Sequence, residues 1–187
     1  MLIAVTGTPG TGKSHFAKRL FSVLGSGTLI EINDIVERQR LFSGVDKYGT
    51  KIVKMGQLNA ALKKEIKKSK RPVIVSGHLA ADLDAHYDIC VVTRAKLSRL
   101  TRVFKLRGYD KDKARENLFA EALDYCGVKI GKKADEVYEV ETQKEKKDII
   151  LYIKARAEKR GAKKPKLKNI DKMPELLLLI EKRGVNL

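Results

Sequence analysis

The stretch Gly7-Thr8-Pro9-Gly10-Thr11-Gly12-Lys13-Ser14 stands close to the start of the chain and fits the pattern G-x-x-x-x-G-K-[ST]. Its glycines let the backbone turn tightly with positive φ and approach an anion without a Cβ in the way. Successive N–H groups then point inward at phosphate oxygens. In such a loop Lys13 reaches the β- and γ-phosphates of a nucleoside triphosphate, and the Ser14 hydroxyl binds Mg²⁺. The stretch therefore predicts a phosphate-binding loop.

The residues around this loop supply the strand and the helix that it needs. Residues 2–5 are a short apolar run, and residues 14–24 place apolar side chains at helical spacing before Gly25 ends the pattern. His15 opens the predicted helix, so its backbone N–H is a further donor to a phosphate. The positive N-terminal end of the helix favours an anion at the same place.

Length and composition indicate one soluble globular domain, since 187 residues with 43% hydrophobic and 34% charged side chains suffice for a full core. No apolar stretch approaches the roughly 20 residues that span a membrane, so we expect a cytoplasmic protein without a membrane partner. Cys90 and Cys126 are expected to be reduced, small hydrophobic residues. Because the sequence has no C-x-x-C pair, a zinc-braced lid is excluded.

The formal net charge of +17 arises because 40 Lys and Arg face only 23 Asp and Glu. Surface ion-pair networks need both signs, so they do not explain this excess. A polyanionic partner and a simply basic, solvated surface are both compatible with it.

Short apolar runs alternate with helical patterns, which predicts an α/β fold with a five-stranded parallel sheet flanked by helices. The ligand of such a sheet lies beyond the carboxyl ends of its strands, where Gly7, Ser76 and Arg94 would converge. Arg94 is therefore a candidate contact for phosphate or water. The predicted strands cover residues 2–5, 28–32, 73–75, 89–92 and 137–142.

The third predicted strand ends in Ser76-Gly77-His78. In phosphate-loop proteins an aspartate at this strand end holds the hydration shell of Mg²⁺, but Ser76 stands at that position. Asp82 and Asp84 follow, although either would need a favourable loop to substitute for it. His78 is the nearest ionisable group. It is either a structural histidine or a residue that contacts phosphate or positions water.

Two further segments are candidates for substrate contacts. Residues 42–56 have no sustained period and stand between two helical patterns, so they form either an acceptor pocket or a surface loop. Residues 96–125 predict a helix, a charged turn and a second helix. Arg107 at the root of that turn either swings onto the transferring phosphoryl group or caps carbonyls in a plain helical hairpin.

The tail after Gly161 begins with a basic linker and ends in a helix whose first turn contains Pro174. Residues 176–180 are Leu-Leu-Leu-Leu-Ile, which is apolar on every side of a helix and must be buried. We expect this helix to pack on its own sheet, and burial by a partner is the alternative.

Four motifs together resemble the adenylate kinase isoenzyme 6 family, the small nucleotide kinases of archaea and eukaryotes that also act in maturation of the small ribosomal subunit. They are GTPGTGKS at residues 7–14, SGH at 76–78, VVTR at 91–94 and RVFKLRGYDKDKARENLFAEAL at 102–123. The resemblance covers roughly residues 1–155. Its most specific part is the RGY turn at 107–109 with Glu116 and Asn117 behind it.

The resemblance implies a fold of the nucleoside monophosphate kinase type, with a core over residues 1–160 and a basic linker and helix over 161–187. Within the core, residues 30–56 would hold the acceptor nucleotide, and residues 106–116 would close over ATP as a lid. Asp34 and Arg38 are the candidate AMP contacts. Lys13 and Arg107 would be catalytic, with Mg²⁺ on Ser14. The residues implied to bind ATP are Gly10, Gly12, Lys13, Ser14, His15 and Arg107.

The implied activity is reversible transfer, ATP + AMP = 2 ADP, with ATPase activity and a role in small-subunit rRNA maturation. The implied partners are a small-subunit ribosomal protein or rRNA, with no DNA, and the chain is expected to be a monomer or weak dimer. Ser76 departs from the family's usual aspartate, residues 42–56 match poorly, and the tail is not covered. The alternatives are an ATP-dependent ribosome assembly factor with little kinase activity and a small-metabolite kinase.

Overall fold

The computed structural model describes residues 1–167 and 169–183. A five-stranded sheet lies at the centre, helices cover both of its faces, and a small hairpin stands beside it. In chain order the elements are β1 (Leu2–Thr6), α1 (Lys13–Leu24), β2 (Thr28–Glu31), α2 (Ile32–Arg38), β3 (Phe42–Val45), β4 (Lys51–Val53), α3 (Met55–Lys68), β5 (Val73–Ser76), a 3-10 turn (His78–Ala81), β6 (Tyr87–Thr93), α4 (Leu97–Leu106), α5 (Lys111–Ala122), α6 (Tyr125–Ile130), β7 (Ala134–Val140), α7 (Gln143–Ala157) and α8 (Met173–Arg183).

The central sheet is parallel throughout, with the strand order β2-β5-β1-β6-β7. Successive residues of a strand point to opposite faces. Leu2 and Ala4 of β1 therefore join the core under α2, α3 and α6, whereas Ile3 and Val5 join the core under α1 and α7. Burial on both faces explains why these strands read as continuous apolar runs. The predicted five-stranded parallel sheet is confirmed.

The segment after β2 is more regular than predicted. Helix α2 begins at Ile32, directly after the strand, so Asn33 and Asp34 lie within its first turn. Residues 42–53 form the antiparallel β3–β4 hairpin in place of an irregular stretch. Its turn is closed by the Asp46 carboxylate, which accepts hydrogen bonds from the backbone N–H groups of Tyr48 and Thr50, both at 2.8 Å.

Helix α8 packs on α4 and α5, so the expectation that it would pack on the sheet is wrong. Leu176 is buried in a cluster with Leu100 and Phe104 of α4 and Leu118 of α5. The two hairpin helices keep an apolar side turned away from the sheet, and α8 covers it. Leu177 and Leu178 remain about half exposed. In the described part of the chain, no helix has the length and apolar character to cross a membrane.

Arg94 joins the end of β6 to the elements that follow it. Its guanidinium is 1% exposed and lies 3.0 Å from the Glu121 carboxylate and 2.8 Å from Asp124. It also donates to the Glu139 carboxylate at 2.5 Å and to the Glu121 carbonyl at 2.7 Å. These contacts fix α5, α6 and β7 around one buried cation.

Replacing Arg94 by Met should lower the free energy of unfolding by about 3–5 kcal/mol, because the Glu121 carboxylate would stay buried without its partner. Arg38→Met removes an exposed ion pair to Glu65 and should cost less than about 1 kcal/mol. Urea denaturation of both variants measures the difference. Equal stabilities would show that the Arg94 cluster does not hold these elements together.

Candidate active site

The loop between β1 and α1 takes the shape that its glycines predict. Gly7 has a φ of 139°, and a Cβ there would stand 2.3 Å from the carbonyl oxygen of Thr93, so the loop is pressed against the end of β6. Gly12 precedes α1 with a φ of 96°, which only glycine adopts without strain. The N-terminal amides of α1 therefore open onto the space above the sheet.

Lys13 lies folded over this loop, and its ammonium donates a hydrogen bond to the Thr8 carbonyl at 3.1 Å. The side chain is half-buried. The pKa of Lys13 is lowered to about 8, mainly because the side chain is buried and also because Arg107 is charged, with a partial offset from Cys126, Glu121 and Glu31. The amine is thus held beside the loop by a neutral carbonyl, which does not compensate its charge.

The carboxyl ends of β2 and β5 bring two incompletely bonded side chains to the same place. Glu31 and Ser76 are direct partners in the β2–β5 register. The Ser14 hydroxyl donates to Oε2 of Glu31 at 3.3 Å. Oε1 of Glu31 and Oγ of Ser76 are buried and have no hydrogen-bond partner among the described residues. These oxygens fit a hard divalent cation such as Mg²⁺.

The described residues contain no cluster of three or more His, Cys, Asp or Glu side chains that holds a metal by itself. A cation beside Ser14 would therefore need oxygens from a ligand as well, as Mg²⁺ does when it binds together with nucleotide phosphates.

A cleft of about 820 Å³ extends from the loop across the carboxyl edge of the sheet. Its opposite walls are the turn of the β3–β4 hairpin and the α4–α5 hairpin. The two walls touch: Lys113 donates to the Tyr48 carbonyl at 3.3 Å, and the Tyr48 hydroxyl donates to Glu116 at 3.4 Å. The cleft is bounded on both sides and is large enough for phosphate groups with part of a nucleotide.

Arg107 and His78 both line this cleft. Arg107 follows the last turn of α4, is exposed, and lies near enough to Lys13 to influence its pKa. His78 is exposed in the cleft. Its pKa is lowered, first because the surrounding protein removes part of the water around the ring and second because Lys13 is charged. A lower pKa favours the neutral imidazole, which donates one hydrogen bond through one ring nitrogen and accepts one through the other.

The structure brings most of the predicted site residues together and leaves three outside. Asp34 and Arg38 lie on exposed positions of α2 and do not line the cleft, since Ile35 and Val36 occupy the inward face of that helix. Arg94 is enclosed by its three carboxylates, so the predicted phosphate contact is corrected to a structural role. The predicted residues that line the cleft are Gly10, Gly12, Lys13, Ser14, His15, His78 and Arg107.

Other residues of the cleft were not singled out from the sequence. Asp46 and Tyr48 belong to a hairpin whose strands are only three or four residues long and show no apolar alternation. Glu31 carries a weak signal, because it is a charged residue at the end of an apolar strand. Cys126 lines the cleft from α6 as a buried free thiol, and Cys90 is likewise buried and free.

A phosphate loop after β1, a cleft at the carboxyl edge of a parallel sheet and an arginine above it define a P-loop kinase of nucleotides or small metabolites. Comparison with known proteins agrees. A family described as an AAA domain matches residues 3–124. A Methanosarcina barkeri protein is 34% identical over 146 residues, covering 76% of this chain and 77% of its own.

A Methanococcus maripaludis protein is 30% identical over 193 residues, covering 97% of this chain and all of its own. Both relatives carry the name "Putative adenylate kinase". The chain belongs to this family of adenylate-kinase-like nucleotide kinases.

Similarity to solved structures supports the fold only. Shikimate kinase from Acinetobacter baumannii, in complex with shikimate, superposes with a TM-score of 0.56 at 17% identity, covering 87% of this chain and 95% of its own. Shikimate kinase from Bacteroides thetaiotaomicron gives 0.53 at 17% identity, covering 84% and 98%.

The lowered pKa of Lys13 predicts how triphosphate binding depends on pH. Above pH 8 the free protein loses the Lys13 proton, whereas a bound triphosphate would hold that proton in place. Affinity for β,γ-imido ATP with Mg²⁺ should therefore fall roughly fivefold between pH 8 and pH 9, with proton uptake on binding. Calorimetry in two buffers of different ionisation enthalpy measures both quantities.

Lys13→Arg is the matched control, because a guanidinium keeps its charge throughout this range. Whatever affinity this variant retains should not change with pH. A flat profile for the unmodified protein, with no proton uptake, would contradict the placement of Lys13 against the phosphates.

Proposed function

We propose that the protein is an adenylate kinase of the isoenzyme 6 family, which transfers the γ-phosphoryl group of ATP to AMP to give two ADP. The observation that carries the proposal is that one cleft is bounded by the phosphate loop, by Arg107 and by the β3–β4 hairpin. A donor and an acceptor phosphate both fit between these walls. The names of the relatives support the same reaction.

The transfer we propose is direct and in line, without a covalent enzyme intermediate. The loop amides and Lys13 hold the β- and γ-phosphates, and Arg107 neutralises charge that develops on the transferring group. Ser14 is the proposed Mg²⁺ ligand, and the ion, when bound with ATP, neutralises charge on the β- and γ-phosphate oxygens. Positioning and charge stabilisation then supply most of the rate enhancement.

The acceptor nucleotide is proposed to lie against the β-hairpin side of the cleft. Asn33, Asp46, Tyr48 and Thr50 line that side, whereas Asp34 and Arg38 do not. The Tyr48 ring and its neighbouring polar groups offer a face for a base and hydrogen-bond partners for its edge. Asn33 at the start of α2 and the hairpin residues thus replace Asp34 and Arg38 as the proposed AMP contacts.

The contacts of Tyr48 with Lys113 and Glu116 bring the two walls together over the reacting groups. Such closure limits the access of water, which would otherwise compete with AMP for the phosphoryl group. We propose that slow ATPase activity is the reaction that remains when no acceptor is bound.

Replacing Lys13 by Met should lower ADP formation by at least about 100-fold, because a charge on the transferring phosphate would lose its main partner. Lys18→Met, an exposed lysine of the same helix, is the control and should retain full activity. ADP and inorganic phosphate are quantified from ATP with and without AMP. Equal turnover in Lys13→Met and the unmodified protein would refute the assignment.

The same assay identifies the acceptor. Other nucleoside monophosphates, shikimate and gluconate are offered in place of AMP. If ADP formed faster with shikimate or gluconate than with AMP, the protein would be a small-metabolite kinase and not an adenylate kinase.

The net charge of +17 favours a second role in assembly of the small ribosomal subunit, with rRNA or a ribosomal protein as partner. Residues 161–167 of the basic linker form neither helix nor strand, and their three lysines, Lys163, Lys164 and Lys166, are exposed. In this proposal ATP binding and slow hydrolysis control binding and release of the partner. Phosphoryl transfer and assembly are compatible functions of one chain.

Binding to a small-subunit rRNA fragment should weaken by at least about 10³-fold between 50 and 200 mM salt if many lysines contact phosphates. Replacing Lys163, Lys164 and Lys166 by Gln should make the salt dependence less steep, by roughly one unit of slope for each phosphate that a lysine no longer neutralises. Fluorescence anisotropy measures both. If RNA affinity did not change with salt concentration and no pre-ribosomal material were recovered in a pull-down, the proposed role in ribosome assembly would be refuted.

A further inference from the structure

The carboxyl end of β2 presents a carboxylate with an unused oxygen. Oε2 of Glu31 accepts a hydrogen bond from the Ser14 hydroxyl, whereas Oε1 is buried with no partner in the part of the chain that the structure describes. A buried acceptor without a partner destabilises the free protein, and more so when the group is charged. The side chain also borders the cleft. Among the described residues, the free protein therefore keeps a buried carboxylate oxygen without a partner, and a bound cation would supply that partner.

We propose that Glu31 supplies the protein carboxylate for the Mg²⁺ that accompanies ATP, in place of the aspartate that position 76 lacks. The inference rests on the proposed function, in which Mg²⁺ and ATP bind together. It assigns to β2 a task that phosphate-loop proteins usually give to the strand beside β1.

The sheet register explains why a glutamate suits this position. Ser76 pairs with Val5 of β1 on one side and with Glu31 of β2 on the other. Glu31 therefore stands one strand farther from the phosphate loop, and neighbouring strands are about 4.8 Å apart. Glutamate has one methylene more than aspartate and reaches back to the start of α1, as its contact with Ser14 shows.

The distance between Ser14 and Glu31 matches a shared ion. Adjacent ligands of an octahedral Mg²⁺ with bonds of about 2.1 Å lie about 3.0 Å apart. Oγ of Ser14 and Oε2 of Glu31 are 3.3 Å apart, so a small shift seats both on one ion or links them through one of its waters. The unpartnered Ser76 hydroxyl is a buried acceptor for such a water.

The other acidic residues near this edge are engaged elsewhere. Asp82 forms an ion pair with Lys129 and accepts a hydrogen bond from Tyr125. Asp84 is exposed and pairs with Lys63. Neither shares the contact with Ser14 that Glu31 has, so Glu31 is the carboxylate that the geometry assigns to the ion.

The test measures metal affinity separately from nucleotide affinity. Mn²⁺ serves as the probe, and its binding in the presence of β,γ-imido ATP is followed by electron paramagnetic resonance. Calorimetry with the same nucleotide in EDTA gives the affinity without metal. The variants are Glu31→Gln, Glu31→Gln combined with Ser76→Asp, and Glu158→Gln as a control at an exposed carboxylate beyond α7.

Glu31→Gln should raise the half-saturating Mn²⁺ concentration at least about tenfold, as loss of a metal ligand or its support does. Its affinity for the metal-free nucleotide should be unchanged or higher, because a negative charge near the phosphates is removed. Adding Ser76→Asp should restore most of the Mn²⁺ affinity, and Glu158→Gln should match the unmodified protein.

Equal Mn²⁺ affinity in Glu31→Gln and the unmodified protein would overturn the assignment of Glu31 to the metal ion. Because glutamine has the same shape as glutamate, this single variant is sufficient for the test even if the double variant does not fold. Nucleotide binding by the unmodified protein in EDTA then shows that the proposed function survives. If the unmodified protein bound no nucleotide, either with Mn²⁺ or in EDTA, the proposed function would be overturned, and the assignment of Glu31 with it.

Discussion

The backbone turn between β1 and α1 is the constraint on which the rest of the structure depends. Gly7 must pass so close to the Thr93 carbonyl that no side chain fits, and Gly12 must adopt a left-handed conformation where the helix begins. These two requirements aim the first amides of α1 into the cleft. Because β1 and β6 are paired neighbours in the sheet, the loop lies directly at the edge where both strands end.

Around that turn, two charged side chains lie without a full complement of partners in the described part of the chain. Burial lowers the pKa of Lys13, and Arg107 stands close enough to lower it further. Glu31 partly offsets this charge but keeps one oxygen without a partner among residues 1–167 and 169–183. A bound triphosphate would offer a charged partner to Lys13, and a metal ion bound with it would offer one to the free oxygen of Glu31.

The sheet and the phosphate loop were predictable because their signals are local and periodic. Five apolar runs and one glycine-rich motif determine the strand count, the parallel arrangement and the edge at which the site lies. The β3–β4 hairpin was not predictable in this way, since its strands are too short for a period. Arg94 looked like a site residue from its place after β6, but carboxylates distant in sequence enclose it. Tertiary pairing of this kind leaves no local pattern.

Helix α8 likewise has one feature that its own sequence predicts and one that depends on tertiary packing. Its leucines predicted burial on every side, which holds for Leu176 but is wrong for Leu177 and Leu178, which are about half exposed. The surface that covers Leu176 is formed by α4 and α5 and could not be predicted from the helix itself. Because Arg107 directly follows α4 and Lys113 lies in α5, the C-terminal helix is packed on the elements that form one wall of the cleft.

The most direct measurement is an NMR titration of ¹⁵N-labelled protein with β,γ-imido ATP and Mg²⁺. If the loop amides bind phosphates, the backbone signals of Gly10, Gly12, Lys13 and Ser14 should show the largest shifts, and those of exposed α7 residues should not move. Loop signals that stay unchanged up to millimolar nucleotide, in a folded sample, would contradict the phosphate-binding role on which the proposed chemistry depends.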